Sequence, residues 1–155
     1  PPPAAFLPMI KVKRIDHVAI AVGERDGVTR QLGDLFGLCA GATEHVADQQ
    51  TDVAFLYSDP ASEGAALEII APAAAPLGNA GLVRFLDRRG PGLHHICFEV
   101  DDLPGALASL KSPGGHLLAA VPRPGPPGHP LTRIHHPPPG AVPFELCPPP
   151  NRAHA

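Results

Sequence analysis

Four side chains have the types and spacing to hold a metal ion: His17, Glu68, His95 and Glu145. Each stands inside a short apolar, β-prone run, namely Asp16-His17-Val18-Ala19-Ile20, Leu67-Glu68-Ile69, His95-Ile96-Cys97-Phe98 and Phe144-Glu145-Leu146. Taken singly, a strand histidine is most often a hydrogen-bonded core residue, and a glutamate near a strand end is most often solvated. The spacing changes that reading. Glu68 follows His17 by 51 positions and Glu145 follows His95 by 50, and a structural histidine has no reason to recur at an equivalent place together with its carboxylate. Two neutral imidazoles and two carboxylates form a mixed nitrogen and oxygen set suited to Co²⁺, Mn²⁺, Ni²⁺ or Zn²⁺. Charge argues the same way. Two carboxylates in a dry cup repel, and one would take up a proton, whereas a dication neutralises both.

To bring such a set together the chain needs two copies of one unit. Ile15 to Val22 reads as a strand, and Val28 to Phe36 as a helix ended by Gly37. Leu38 to His45, Val53 to Tyr57 and Ala66 to Ala71 supply three more strands. A linker with Pro72 and Pro76 and a short amphipathic helix around Leu82, Val83, Phe85 and Leu86 follow. The order then repeats, with a strand from Leu93 to Val100, a helix from Leu103 to Leu110, and strands at Leu117 to Ala119, Leu131 to His135 and Val142 to Cys147. The repeat fixes an α+β architecture of two tandem βαβββ modules. Module one covers about 14–72, the linker and its helix about 73–91 and module two about 92–148 of one domain over 14–148; 1–13 and 149–155 are tails. Met9 is a candidate natural start. Side chains two apart share a strand face, so His17 goes with Ala19 and Ala21, His95 with Cys97, and Glu145 with Cys147. Val18, Ile20, Ile96, Phe98, Phe144 and Leu146 then face the helices.

Composition removes whole classes. The 155 residues carry a net charge of −3, which argues against nucleic acid as a partner. No apolar run approaches the roughly 18 residues of a membrane span, and no secretory signal pattern opens the chain. The 22 prolines gather in loops and tails. Cys39, Cys97 and Cys147 are odd in number and unclustered, which suits buried thiols in a reducing compartment. His94 reads as packing or as a partner of His95, since the repeat places it over Asp16. His45, His116, His129, His135, His136 and His154 carry no spacing signal, and Arg84, Arg88 and Arg89 read as the wet face of a helix.

At these residues the chain resembles the vicinal oxygen chelate superfamily and, within it, the methylmalonyl-CoA epimerases. The pieces that carry the resemblance are Asp16-His17-Val18-Ala19-Ile20, the stretch from Val83 through Arg88-Arg89-Gly90 into Gly92-Leu93-His94-His95-Ile96, Phe98-Glu99-Val100-Asp101-Asp102, Pro122-Arg123-Pro124-Gly125 and Glu145-Leu146-Cys147. The resemblance implies a cupped mixed sheet with helices on its outer face, a metal held by His17, Glu68, His95 and Glu145 with Co²⁺ the first expectation, a homodimer, and a cytoplasmic or, in a eukaryote, mitochondrial setting. It also implies an acyl-CoA substrate, the 2R and 2S forms of methylmalonyl-CoA being interconverted by removal and return of the α-proton, with Glu145 a base as well as a ligand. Inversion needs proton exchange on both faces. Some members carry a second glutamate where this chain has Val53; Asp52 next to it is the candidate here, provided that a β-bulge re-aims it. Pro143 is a second departure, because proline removes a ladder donor. The rival readings are a glyoxalase I-like isomerase with the same ligand set, a ring-cleaving dioxygenase, which Glu68 argues against, and a metal-free binder resembling the bleomycin-resistance proteins.

Overall fold

The β-prone run over 15–21 and the β-branched content of its neighbours build strands, and the glycines between them set where helices stop. The computed structural model of the chain describes residues 10–73, 79–110, 123–124, 130–134 and 142–149. The element order is β1 (Arg14–Ala21), α1 (Arg25–Phe36), β2 (Cys39–Val46), β3 (Thr51–Tyr57), β4 (Ala66–Pro72), α2 (Ala80–Arg89), β5 (Gly92–Glu99), α3 (Leu103–Leu110), β6 (Arg123–Pro124), β7 (Pro130–Ile134) and β8 (Phe144–Cys147). The expected strand at Leu117 to Ala119 lies outside the described residues, as do His116, His129, His135, His136 and His154.

The strands form one mixed sheet in the order β2-β3-β4-β1-β5-β8-β7-β6. The two halves are arranged about its centre, where β1 and β5 run antiparallel. On one side β1 pairs parallel with β4; on the other β5 pairs parallel with β8. The first and last strands of each module are therefore neighbours, which is the arrangement that makes the four repeat-related side chains meet. Pro143 does not disturb it. The proline has no donor to give, but its carbonyl accepts from Ile96 N at 3.2 Å, and the ladder resumes at Phe144.

Local chemistry explains the helices. Glu24 caps α1, its carboxylate accepting from Asp26 N and Gly27 N. Gly37 ends the helix at φ 68°, its N–H donating to Gly33 O at 2.9 Å, a left-handed position that favours glycine. Ile20, Val22, Ala54, Leu56 and Ile69 pack with Val28 and Leu32 of α1, and Val100, Leu146 and Phe98 pack with Leu103, Ala106 and Leu107 of α3. The module helices thus cover one face of the sheet.

The linker helix α2 lies on the other face. Its Leu82 is buried with Ala21, Val53 and Ile70, and Phe85 and Leu86 pack beside them. Asn79 fixes it there: its side-chain oxygen accepts from Leu82 N and its amide donates to Thr51 Oγ1, each at 3.0 Å. Gln50, at φ 49° in the turn before β3, adds a carbonyl that accepts from Asn79 N at 3.2 Å. An Asn79→Ala substitution removes both the cap and the tie to β3. It is expected to lower stability by about 1–2 kcal/mol, read as a shift of the urea midpoint followed by circular dichroism.

Candidate metal centre

Under the roof of α2, the concave face carries the four residues singled out by spacing. All are buried: His17 is 2 % exposed, His95 and Glu145 4 %, and Glu68 5 %. His17 sits on β1, Glu68 on β4, His95 on β5 and Glu145 on β8, with Ala19 opposite both Glu68 and His95. That small side chain, fully buried, leaves room for the longer ones to close over it.

The polar atoms converge at the centre. Glu68 Oε2 lies 3.1 Å from His17 Nε2 and 3.4 Å from His95 Nε2. Glu145 Oε2 lies 3.1 Å from His95 Nε2, and the two Nε2 atoms stand 3.2 Å apart. Despite its burial, Glu68 Oε2 makes no hydrogen bond of acceptable geometry, which is costly unless something else occupies that oxygen. Two imidazole N–H groups cannot both point at each other across 3.2 Å. His17, His95 and Glu145 offer ligand atoms that all lie within 4.8 Å of one another, and Glu68 Oε2 stands beside both imidazoles, so the donor set fits a divalent ion.

Asp16 and His94 stand behind the two histidines. Asp16 Oδ2 lies 2.8 Å from His17 Nδ1, and His94 Nδ1 lies 2.9 Å from His95 Nδ1. Burial lowers the tendency of both imidazoles to hold a proton, but the carboxylates reverse it: Asp16 and Glu68 raise His17 to about 10, and Glu145 and Glu68 raise His95. Burial raises Glu68, and the two histidines outweigh it, lowering that carboxyl to about 2. Metal uptake must displace these imidazole protons, because only the neutral ring ligates. In calorimetry at pH 7, Co²⁺ binding is therefore expected to release about one proton per ion. Affinity should rise with pH through the neutral range and level off as pH approaches the His17 value.

A second cluster, Asp16 with Cys97 and Cys147, has different chemistry. A hydrogen bond with Cys147, together with burial, raises the Cys97 thiol well above its ordinary value, which disfavours the thiolate that ligates a metal. Cys97 and Cys147 are buried and free, as their apolar surroundings indicated, and Cys39 is half-buried.

Asp52 is not at the site, which corrects the expectation that a bulge would turn it inward. The β3 ladder is regular through Thr51–Leu56, so Thr51 and Val53 face the cavity and Asp52 faces away, with its Oδ1 2.8 Å from His45 Nδ1. The cavity between α2 and Glu68, His95 and Glu145 measures about 240 Å³, and His17 is not among the residues that line it. Polar groups from Gln49, Thr51 and Asn79 line it along with the apolar Val53, Leu82 and Phe85, and so does His94. Nothing in the types or spacing of Gln49, Thr51 and Asn79 marks them as part of the site. Asn79 is brought there by its contacts with Gln50 and Thr51 at the β2–β3 turn.

Comparison with known proteins follows the same lines. Residues 16–132 match the family model described as Glyoxalase/Bleomycin resistance protein/Dioxygenase superfamily. An ethylmalonyl-CoA/methylmalonyl-CoA epimerase of Cereibacter sphaeroides is 30 % identical over 127 residues, 80 % of this chain and 89 % of that protein. The crystal structure of methylmalonyl-CoA epimerase from Mycobacterium tuberculosis superposes with a TM-score of 0.77 at 30 % identity, covering 94 % of this chain and 93 % of that one. A methylmalonyl-CoA epimerase solved in complex with methylmalonyl-CoA and NH4+ gives 0.76 at 26 % identity, covering 89 % and 95 %. The chain belongs to this superfamily and, within it, to the methylmalonyl-CoA epimerase family. Among the described residues no helix is long and apolar enough to cross a membrane.

Proposed function

We propose that the protein is a divalent-metal-dependent epimerase that interconverts the 2R and 2S forms of methylmalonyl-CoA. The observation that carries this is the convergence of two imidazoles and two carboxylates, one pair from each module, beside a roofed cavity whose wall includes Glu68, His95 and Glu145. The relatives named as epimerases act on such substrates by their names, and one was solved holding methylmalonyl-CoA.

His17, Glu68, His95 and Glu145 would hold the ion, with Co²⁺ the first expectation. When bound, it supplies Lewis-acid stabilisation of the charge that develops on the thioester oxygen as the α-proton leaves. The chain's own residues do the rest. Glu145 stands at the cavity wall with a carboxylate that takes the α-proton from one face; inversion needs a proton delivered to the opposite face, and Glu68, the other carboxylate of the lining, is the group the cavity offers for it. Leu82, Phe85, Val53 and Ile70 keep water from the reacting carbon. A space of about 240 Å³ takes a short acyl group but not a coenzyme A moiety, which must extend through the mouth past α2. Gln49, Thr51 and Asn79 offer amide and hydroxyl groups to the acyl group's free carboxylate.

A glyoxalase I-like isomerase would use the same four ligands, but the helix-bearing linker that roofs the cup favours the epimerase. The test is incubation with 2R-methylmalonyl-CoA in heavy water, with and without Co²⁺. Metal-dependent α-deuteration accompanied by inversion is expected. Absence of exchange with any of Co²⁺, Mn²⁺, Ni²⁺ and Zn²⁺, or turnover of a glutathione hemithioacetal instead, would overturn the proposal.

A further inference from the structure

We infer that Asp16 and His94 are positioning residues, one for each metal-binding histidine, brought to that task by a matched pair of β-bulges. The inference rests on the metal reading of the site and adds to it the device that aims the imidazoles. Through the centre of the sheet the β1–β5 register slips twice, once between Ile15 and His17 and once between Ala19 and Ile20. The register passes over Asp16 at the first slip and over His94 at the second. In an unbroken strand each would point to the face opposite its neighbour. A bulge re-aims the extra residue, and both turn back onto the histidine that follows them, at 2.8 Å for Asp16 and 2.9 Å for His94.

Each is held in turn. Arg14 Nη2 donates to Asp16 Oδ1 at 3.2 Å, and the Phe85 ring meets His94 edge-on at 4.9 Å, with Arg89 stacked 5.7 Å over that ring. The arrangement determines which nitrogen is free. A histidine whose Nδ1–H donates to a fixed acceptor presents its Nε2 lone pair, and the Nε2 atoms are the ones that converge. The two modules thus solve one problem with different residues, a carboxylate in the first and an imidazole in the second, at equivalent places in the repeat.

The test measures Co²⁺ affinity and the proton spectrum of the Co²⁺-loaded protein. Asp16→Ala and His94→Ala are each expected to bind about 10–100-fold more weakly. Asp16→Asn and His94→Gln, which keep an oxygen able to accept from Nδ1–H, should recover most of that loss. The wild type should show two hyperfine-shifted Nδ1–H signals that exchange slowly with water, and each alanine variant should lose one. A merely structural role would lower the melting temperature and leave affinity and signals alone. Unchanged affinity with both signals kept overturns the inference. Where an alanine variant does not fold, the wild-type spectrum decides, and rapid exchange of both signals counts against it. A wild type that takes up no Co²⁺ overturns the metal reading itself, a result distinct from either.

Discussion

Replacing Glu145 with glutamine is expected to slow α-proton exchange by about 10³-fold, within the 10² to 10⁴ range typical of a lost general base, while Co²⁺ remains bound. Glutamine keeps the shape of the side chain and an oxygen that can still ligate, but its amide cannot take a proton. Glu145 is buried on β8, with its carboxylate 3.1 Å from His95 Nε2 and at the wall of the cavity. In the proposed reaction base and ligand are functions of one group, and the substitution separates them. Single-turnover exchange in heavy water, run beside a Co²⁺ titration, reads both. Exchange at the wild-type rate would move the base elsewhere in the cavity. A fall in rate that tracks loss of Co²⁺ would reduce Glu145 to a ligand.

His95→Ala should do more damage, because His95 is the side chain that touches both carboxylates. Its Nε2 lies within 3.4 Å of Glu68 and 3.1 Å of Glu145. Without it two buried carboxylates share one imidazole, and one must take up a proton or repel the other. Stoichiometric Co²⁺ binding is expected to disappear, and with it several kcal/mol of transition-state stabilisation, so the rate should fall by about 10³-fold or more. The metal-free fold should also weaken by about 3 kcal/mol, the scale for breaking a buried ionic contact. Urea unfolding of metal-stripped wild type and variant gives the second number without involving the ion. A variant that binds Co²⁺ as tightly as the wild type would remove His95 from the ligand set.

Much of this was legible in the chain because the signals were local or periodic. The strand of His17 and the strand of His95 announce themselves as matching β-prone runs, Gly37 marks the end of its helix, and the repeat register puts His17 with Glu68 and His95 with Glu145. Three features were not legible. A register slip leaves no mark in composition, so the turn of Asp16 and His94 toward their histidines depends on how β1 and β5 pair across 78 positions of sequence separation between His17 and His95. The same limit applied in reverse to Asp52: the bulge that would have brought it inward does not exist on β3, where ordinary alternation sends it to His45. The side of the sheet covered by α2 was equally hidden, since an amphipathic helix shows that it has a buried face without showing which surface buries it. That surface is chosen by Asn79 and Gln50, residues whose role depends on the β2–β3 turn.

The most direct measurement is a crystal structure grown with Co²⁺ and phased on its anomalous signal. The expected result is one ion per chain on the concave face, about 2.0–2.2 Å from Nε2 of His17, Nε2 of His95 and carboxylate oxygens of Glu68 and Glu145. An ion bound at Cys97 and Cys147 instead, or no ion within reach of those four side chains, would contradict it.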